Sequence, residues 1–243
     1  MGRRVARFWG FALAVVLLTP VGAGAIIGGT DDGSGHPNVG FVVAVDENGG
    51  LADACTGTLI DELAVVTAAH CLADGYRYYV SFKSTVDLSR SAAENGFLPV
   101  EQFQRNDEYD VGVLELSQPE NGIEPADLPA VGALTGSRKG DSFTHVGYGL
   151  DSVASRRQSG SSAVTEFTRR TLTSPMSRLS KTQLYTNNRE GSICNGDSGG
   201  PVFKGDVVVA LGNYVTNARC QGTNSGPRLD IEPVNSFLKA FVD

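Results

Sequence analysis

Along most of the chain, apolar residues come in short runs broken by Gly, Asn, Asp and Ser rather than in long helical stripes. Residues 39–45, 58–67, 78–82, 111–116 and 207–211 are rich in branched apolar or aromatic side chains, and the turn-forming residues between them are of the kind that punctuates strands. Only the last segment keeps a 3.6-residue period. There Val234, Phe237, Leu238 and Phe241 fall near one face, and Asn235 is placed to cap a short helix. Many short strands with turn signals favour an all-β barrel or sandwich over a parallel sheet.

The N-terminus has a different pattern. Arg3, Arg4 and Arg7 precede an apolar run of eleven residues, 8–18, and Ala23-Gly24-Ala25 offers small residues where a signal peptidase cuts. Eleven residues fall short of the roughly 20 that span a bilayer. The expectation is a signal peptide over residues 1–25 and a secreted chain, extracellular or periplasmic, that begins at Ile26. Cleavage after Ala23 is the alternative. No later apolar stretch is long enough to cross a membrane.

Composition narrows the function class. Removing the three leader arginines from the 20 basic residues leaves 17 against 27 acids, a net charge of −10. A balance that acidic carries no electrostatic footprint for nucleic acid. A polar stretch at residues 117–129, with Pro119, Pro125 and Pro129, marks a seam between two halves, 26–125 and 126–243, and residues 156–162 read as a surface loop. Cys55, Cys71, Cys194 and Cys220 suggest two disulfides in a secreted chain, with three connectivities open by spacing alone. None of the four stands at a metal-finger spacing, so neither a metal nor a cofactor is expected.

The segment Cys194-Asn195-Gly196-Asp197-Ser198-Gly199-Gly200-Pro201 carries the first chemical signal. A serine hydroxyl needs a base to become a nucleophile, and backbone N–H donors to hold the oxyanion it creates. Glycines beside the serine let the backbone turn those donors toward one point. In isolation the segment could be a structural turn. It also satisfies the Gly-x-Ser-x-Gly pattern of α/β-hydrolases, where the acid and the histidine follow the serine. Here His36, His70 and His145 all precede Ser198, which excludes that order and leaves His, Asp, Ser.

The base and the acid follow from two further segments. Val65-Val66-Thr67-Ala68-Ala69-His70-Cys71 could on its own hold a core imidazole, but with Ser198 it closely resembles the Thr-Ala-Ala-His-Cys motif of the trypsin/chymotrypsin family. Asp110 opens the apolar run Val111-Gly112-Val113-Leu114-Glu115-Leu116, similar to that family's Asp-Ile-Ala-Leu-Leu strand. Asp107 and Glu108 compete for the role but lie in a polar stretch, and His36 and His145 match no catalytic motif.

The resemblance covers essentially the whole chain after residue 25, and it implies a good deal. The fold would be two antiparallel six-stranded β-barrels with a short C-terminal helix, His70 and Asp110 on the first and Ser198 on the second. The activity would be that of a serine endopeptidase acting on proteins or peptides as a monomer, free of the membrane once the leader is gone. Backbone N–H groups of Gly196 and Ser198 would form the oxyanion hole, and the disulfides would be Cys55–Cys71 and Cys194–Cys220. In such a triad, loss of the acid lowers turnover by roughly 10⁴-fold. The family's active form frees an N-terminal Ile or Val to pair with the aspartate before the serine. Ile26 and Asp197 fill those places, so export and activation would be one cut.

The resemblance also assigns a primary specificity pocket. Ser192 falls at its floor, where trypsins carry an aspartate, so apolar substrate side chains are expected rather than Lys or Arg. Counting back from Cys220 sets Val215, Thr216 and Asn217 in place of the family's Ser-Trp-Gly, which removes a serine hydroxyl that supports the triad acid. Asn217 would narrow the pocket and Gly226 keep the other wall open; Arg219 and Arg228 are close to these walls in sequence and could attract an acidic side chain, although arginines so placed are more often simply solvated. A catalytically silent binding protein on the same scaffold is the competing reading. Such members usually lose a triad residue, and all three are present.

Overall fold

The structure is a computed structural model, and it describes residues 26–149, 165–217 and 219–242. The expected leader (1–25) and the expected surface loop at 156–162 lie outside the described residues. Among those described, no helix is long and apolar enough to cross a membrane.

Six strands close the first barrel. These are β2 (Val39–Val45), β3 (Leu51–Asp61), β4 (Ala64–Thr67), β8 (Val111–Leu116), β7 (Leu98–Asn106) and β5 (Arg77–Ser81), hydrogen-bonded in that order and back to β2. Its interior is packed with Val42, Leu59, Val65, Val80 and Leu114. The stretch expected as one strand over 58–67 is two, because the chain turns at Glu62-Leu63 between β3 and β4.

The second half is a curved sheet that stops short of closing. Strands β14 (Val207–Gly212), β13 (Gly200–Lys204), β9 (Ser142–Gly147), β11 (Arg170–Leu179), β12 (Gln183–Asn187), β16 (Thr223–Pro227) and β15 (Tyr214–Val215) follow one another, and β1 (Thr30–Asp31) adds to β11. Among the described residues, β14 at one end of this sheet meets the chain just past β16 through one bridge, Ala210 to Arg228, and the Leu229 N–H donating to Val209 O at 2.9 Å. Pro227 has no N–H to extend the ladder, so the expected six-stranded second barrel is a half-barrel here. A two-stranded ribbon of β6 (Thr85–Asp87) and β10 (Glu166–Thr168) links the halves.

The C-terminal helix α1 spans Glu232–Leu238, with Val234 and Leu238 buried in the core. Its N-cap is Ile231, not Asn235. Asn235 sits inside the helix, where its buried amide donates to Pro129 O at 2.7 Å. Pro at the second helical position pre-sets the first turn without a capping side chain.

The two halves are locked by a charged group that sequence patterning missed. Arg169, 2% exposed, pairs with the buried Asp32 at 2.8 Å and donates to Val39 O, Gly33 O and the Tyr148 hydroxyl. A buried guanidinium survives only when its donors are satisfied, and this one is. Asp32 also accepts from the His36 backbone and faces its ring, while His36 stacks on Phe203.

Candidate active site

Strand register brings the first two residues together. β4 and β8 are antiparallel, with Thr67 opposite Gly112. The end of β4 therefore lies beside the start of β8, and His70, three residues on, meets Asp110, one residue before. His70 Nδ1 lies 2.9 Å from Asp110 Oδ2, and the His70 backbone N–H donates to Oδ1 at 2.9 Å. Asp110 holds this pose at φ +56°, a left-handed backbone that an aspartate rarely adopts. Burial opposes its charge, but hydrogen bonds from His70, the charge of that ring and the Asn213 amide hold the carboxyl below its ordinary range.

The serine segment approaches from the other half. Gly199 (φ +78°) passes so close to the strand before His70 that an added Cβ would meet Thr67 Oγ1 at 2.1 Å. Only a glycine fits both that conformation and that space. Thr56 donates its N–H to Ser198 O at 2.9 Å, and Thr56 Oγ1 donates to Gly196 O at 2.8 Å, which ties the loop to β3. Ser198, Gly196 and His70 then line one cavity of about 500 Å³. Among the described residues no direct hydrogen bond joins the Ser198 hydroxyl to His70, a looseness common before substrate binds.

Backbone donors in the loop divide into used and unused. The N–H of Asp197 donates to Cys194 O, and those of Gly199 and Gly200 donate to Gly212 O and Asp197 O. The N–H groups of Gly196 and Ser198 find no backbone acceptor among the described residues. Two neighbouring free donors beside a serine hydroxyl can stabilise an oxyanion. Asp197 underlies the loop, fully buried, and accepts from Gly149 N and Cys194 N at 2.8 Å each. Burial pushes its carboxyl up to about 7, against hydrogen bonds from Cys194, Gly149 and the Ile26 backbone. Ile26 is itself buried. Cys55–Cys71 and Cys194–Cys220 are bonded, each flanking one of these segments.

A second cavity of about 380 Å³ also reaches Ser198 and is lined by Ile193, Tyr214, Val215, Thr216, Asn217 and the disulfide cysteines 194 and 220 among others. Tyr214, which sequence reasoning passed over, sets its ring 5.6 Å from that of His70.

The Trypsin family model matches residues 26–239 of this sequence. The chain belongs to the trypsin family. A trypsin of Phaedon cochleariae is 29% identical over 180 residues, 63% of this chain and 66% of the relative, so just under two thirds of that protein is spanned. A collagenase of Hypoderma lineatum is 28% identical over 195 residues, 76% of this chain and 73% of the relative. Among solved structures, HL collagenase superposes with a TM-score of 0.67 at 20% identity, covering 88% of this chain and 96% of that one. Human heparin-binding protein gives 0.68 at 18% identity, with 88% and 96% covered. At these identities the structures show the chymotrypsin-like fold.

Several expectations about the pocket of this trypsin-family chain need correction. The support for the acid, expected to be lost with Val215 in the serine's place, is supplied by Asn213: its Nδ2 donates to Asp110 Oδ2 at 2.7 Å and to Asp110 O at 3.0 Å. Asn213 lies two residues before Val215, and the turn from Val215 to Cys220 is closed by the Cys220 N–H donating to Asn217 O. Asn217 does line the cavity, but Gly226 does not line it. Gly226 packs on β14, where an added Cβ would lie 1.8 Å from Leu211 O. Arg228 is committed to Asp230, with two 2.8 Å bonds, and offers nothing to an acidic substrate. Ser192, expected at the pocket floor, is not among the residues lining the cavity; it is buried and donates its hydroxyl to Asn224 Oδ1. His145 is buried as well, hydrogen-bonded to Thr186 Oγ1 at 2.8 Å, and burial lowers it to about 4.

Proposed function

We propose that this chain is a secreted serine endopeptidase. Ser198 Oγ attacks the scissile carbonyl while His70 takes its proton, the Gly196 and Ser198 N–H groups hold the oxyanion, and His70 then protonates the leaving amine. Water repeats the sequence in reverse to free the acyl group. Asp110 fixes the ring so that Nε2 faces the serine. The observation that carries the reading is the 2.9 Å contact of His70 Nδ1 with Asp110, at a cavity shared with Ser198. Its substrates are proteins or peptides, and it acts as a monomer without a cofactor.

Removal of residues 1–25 is the proposed activating step. The amine freed at Ile26 supplies the positive charge that the buried Asp197 lacks, and the paired carboxylate then fixes the oxyanion loop. None of the residues lining the 380 Å³ cavity carries a carboxylate, and Ser192 stands in sequence where trypsins have an aspartate, so the side chain accepted before the scissile bond is uncharged and predominantly apolar.

A peptide library cleaved by the chain beginning at Ile26, run beside Ser198→Ala, tests both parts. Cleavage after apolar residues that vanishes in Ser198→Ala supports the proposal. A chain that is inert with an intact triad would favour the silent scaffold, and N-terminal sequencing of active protein that starts at Gly24 would rule out the single-cut activation.

A further inference from the structure

Beyond the cleft, on the outer face of the first barrel, lies a cavity of about 350 Å³ walled by Val43, Val45, Tyr79, Leu88 and Phe97. Nothing in the proposed chemistry uses it. It adjoins the catalytic cavity: Leu51, 51% exposed, lines both.

The backbone between the two cavities is open on one edge. Leu51 and Asp53 pair with Val45 and Ala44 of β2, while β4 meets β3 only from Thr58 onward. Residues 51–53 are exposed. A strand edge with unpaired N–H and C=O groups is a template for an extended peptide.

The direction of a bound chain follows from the cavities. Ser198 and Asn195 line both the 380 Å³ cavity and the 500 Å³ one, so the two meet at the nucleophile. A polypeptide that places a side chain in the first can continue through the second, past Cys55, Asp53 and Leu51. We propose that the substrate segment on the leaving-group side of the scissile bond runs along the free edge of β3 and seats a large apolar side chain in the 350 Å³ cavity. From Cys55 to Leu51 is four strand steps, about 13 Å. That length places the seated side chain at the third to fifth residue after the bond. The proposal rests on the endopeptidase reading, since it takes the path of the substrate from Ser198.

Two substrate sets test it. One is a set of anilides with no residues after the bond. The other shares the same acyl side and extends six residues beyond the bond, with Phe, Leu, Met, Ser or Asp at each position in turn. The expected result is a kcat/KM about tenfold higher for the apolar residues than for Ser or Asp at one of the third to fifth positions, the size of effect that partial burial of such a side chain allows. Leu88→Gln should bring that ratio to within about twofold of unity. A flat downstream profile with rapid anilide cleavage overturns the inference and leaves the endopeptidase reading standing. Failure on both sets removes both. A concentration-dependent dimer that Leu88→Gln disperses, with a flat profile, would assign the cavity to a second copy of the chain and overturn the proposal.

Discussion

The Asn213 side-chain amide holds Asp110 at two points, donating 2.7 Å to its carboxylate and 3.0 Å to its main-chain carbonyl. The first bond orients the acid toward His70, and the second braces a backbone at φ +56°. A hydrogen bond to a charged group contributes about 1.5–3 kcal/mol. Asn213→Ala should therefore lower kcat roughly 10- to 100-fold. Asn213→Ser, which restores a donor, should recover part of that loss. Steady-state kinetics alongside urea midpoints separates this from a loss of folded protein, and equal kcat for Ala and Ser would contradict the orienting role.

Gly226 separates a pocket wall from a packing contact. With Leu211 O only 1.8 Å from an added Cβ, Gly226→Ala forces β16 away from β14. The expected outcome is a stability loss of about 1–3 kcal/mol by urea unfolding. The preference for the residue before the scissile bond should be unchanged in the folded fraction. A change of preference at unaltered stability would return Gly226 to the pocket wall.

What the sequence made legible was the local part of the site. Val111–Leu116 was readable as a strand from its apolar run, and its antiparallel pairing with β4 is what joins His70 to Asp110. Asn213 was not readable, because its partner lies 103 residues away. β11 was missed for another reason. Its outward positions are Arg, Thr and Ser and it contains Pro175, so its alternation of buried Leu172, Ser174 and Met176 lacks an apolar composition. Arg169 reads as a surface charge until Asp32, 137 residues distant, is seen to bury it.

That buried pair should be costly to break on one side. Arg169→Ala leaves Asp32, itself 1% exposed, without its guanidinium. Loss of one partner of a buried ion pair costs about 3–5 kcal/mol. Thermal or urea unfolding of the inactive Ser198→Ala background measures it. A change below about 1 kcal/mol would show the pair to be solvated.

Asp197 should leave a signature in the pH dependence of the unprocessed chain. Its carboxyl is pushed up to about 7 in the fold from an ordinary 3.8, so between these values the folded state holds a proton that the unfolded state has released. Stability from this group is complete below about pH 4 and is lost as pH rises to about 7, on the order of 4 kcal/mol in all. His145, lowered to about 4, acts in the opposite sense, adding stability as pH rises from 4 to 6.5. The difference between the unprocessed chain and its Asp197→Asn variant isolates the first effect. It should slope downward with pH before cleavage, and that slope between about pH 4 and 7 should disappear once Ile26 carries a free amine that pairs with the carboxylate. A difference independent of pH before cleavage would remove the proposed role of Asp197.

Covalent titration of the processed chain with a fluorophosphonate tests the central claim most directly. The account predicts one label per chain, located by mass spectrometry on Ser198, abolished in Ser198→Ala and slowed in His70→Ala. A correctly processed, folded chain that takes up no label, or that is labelled equally after Ser198→Ala, would contradict it.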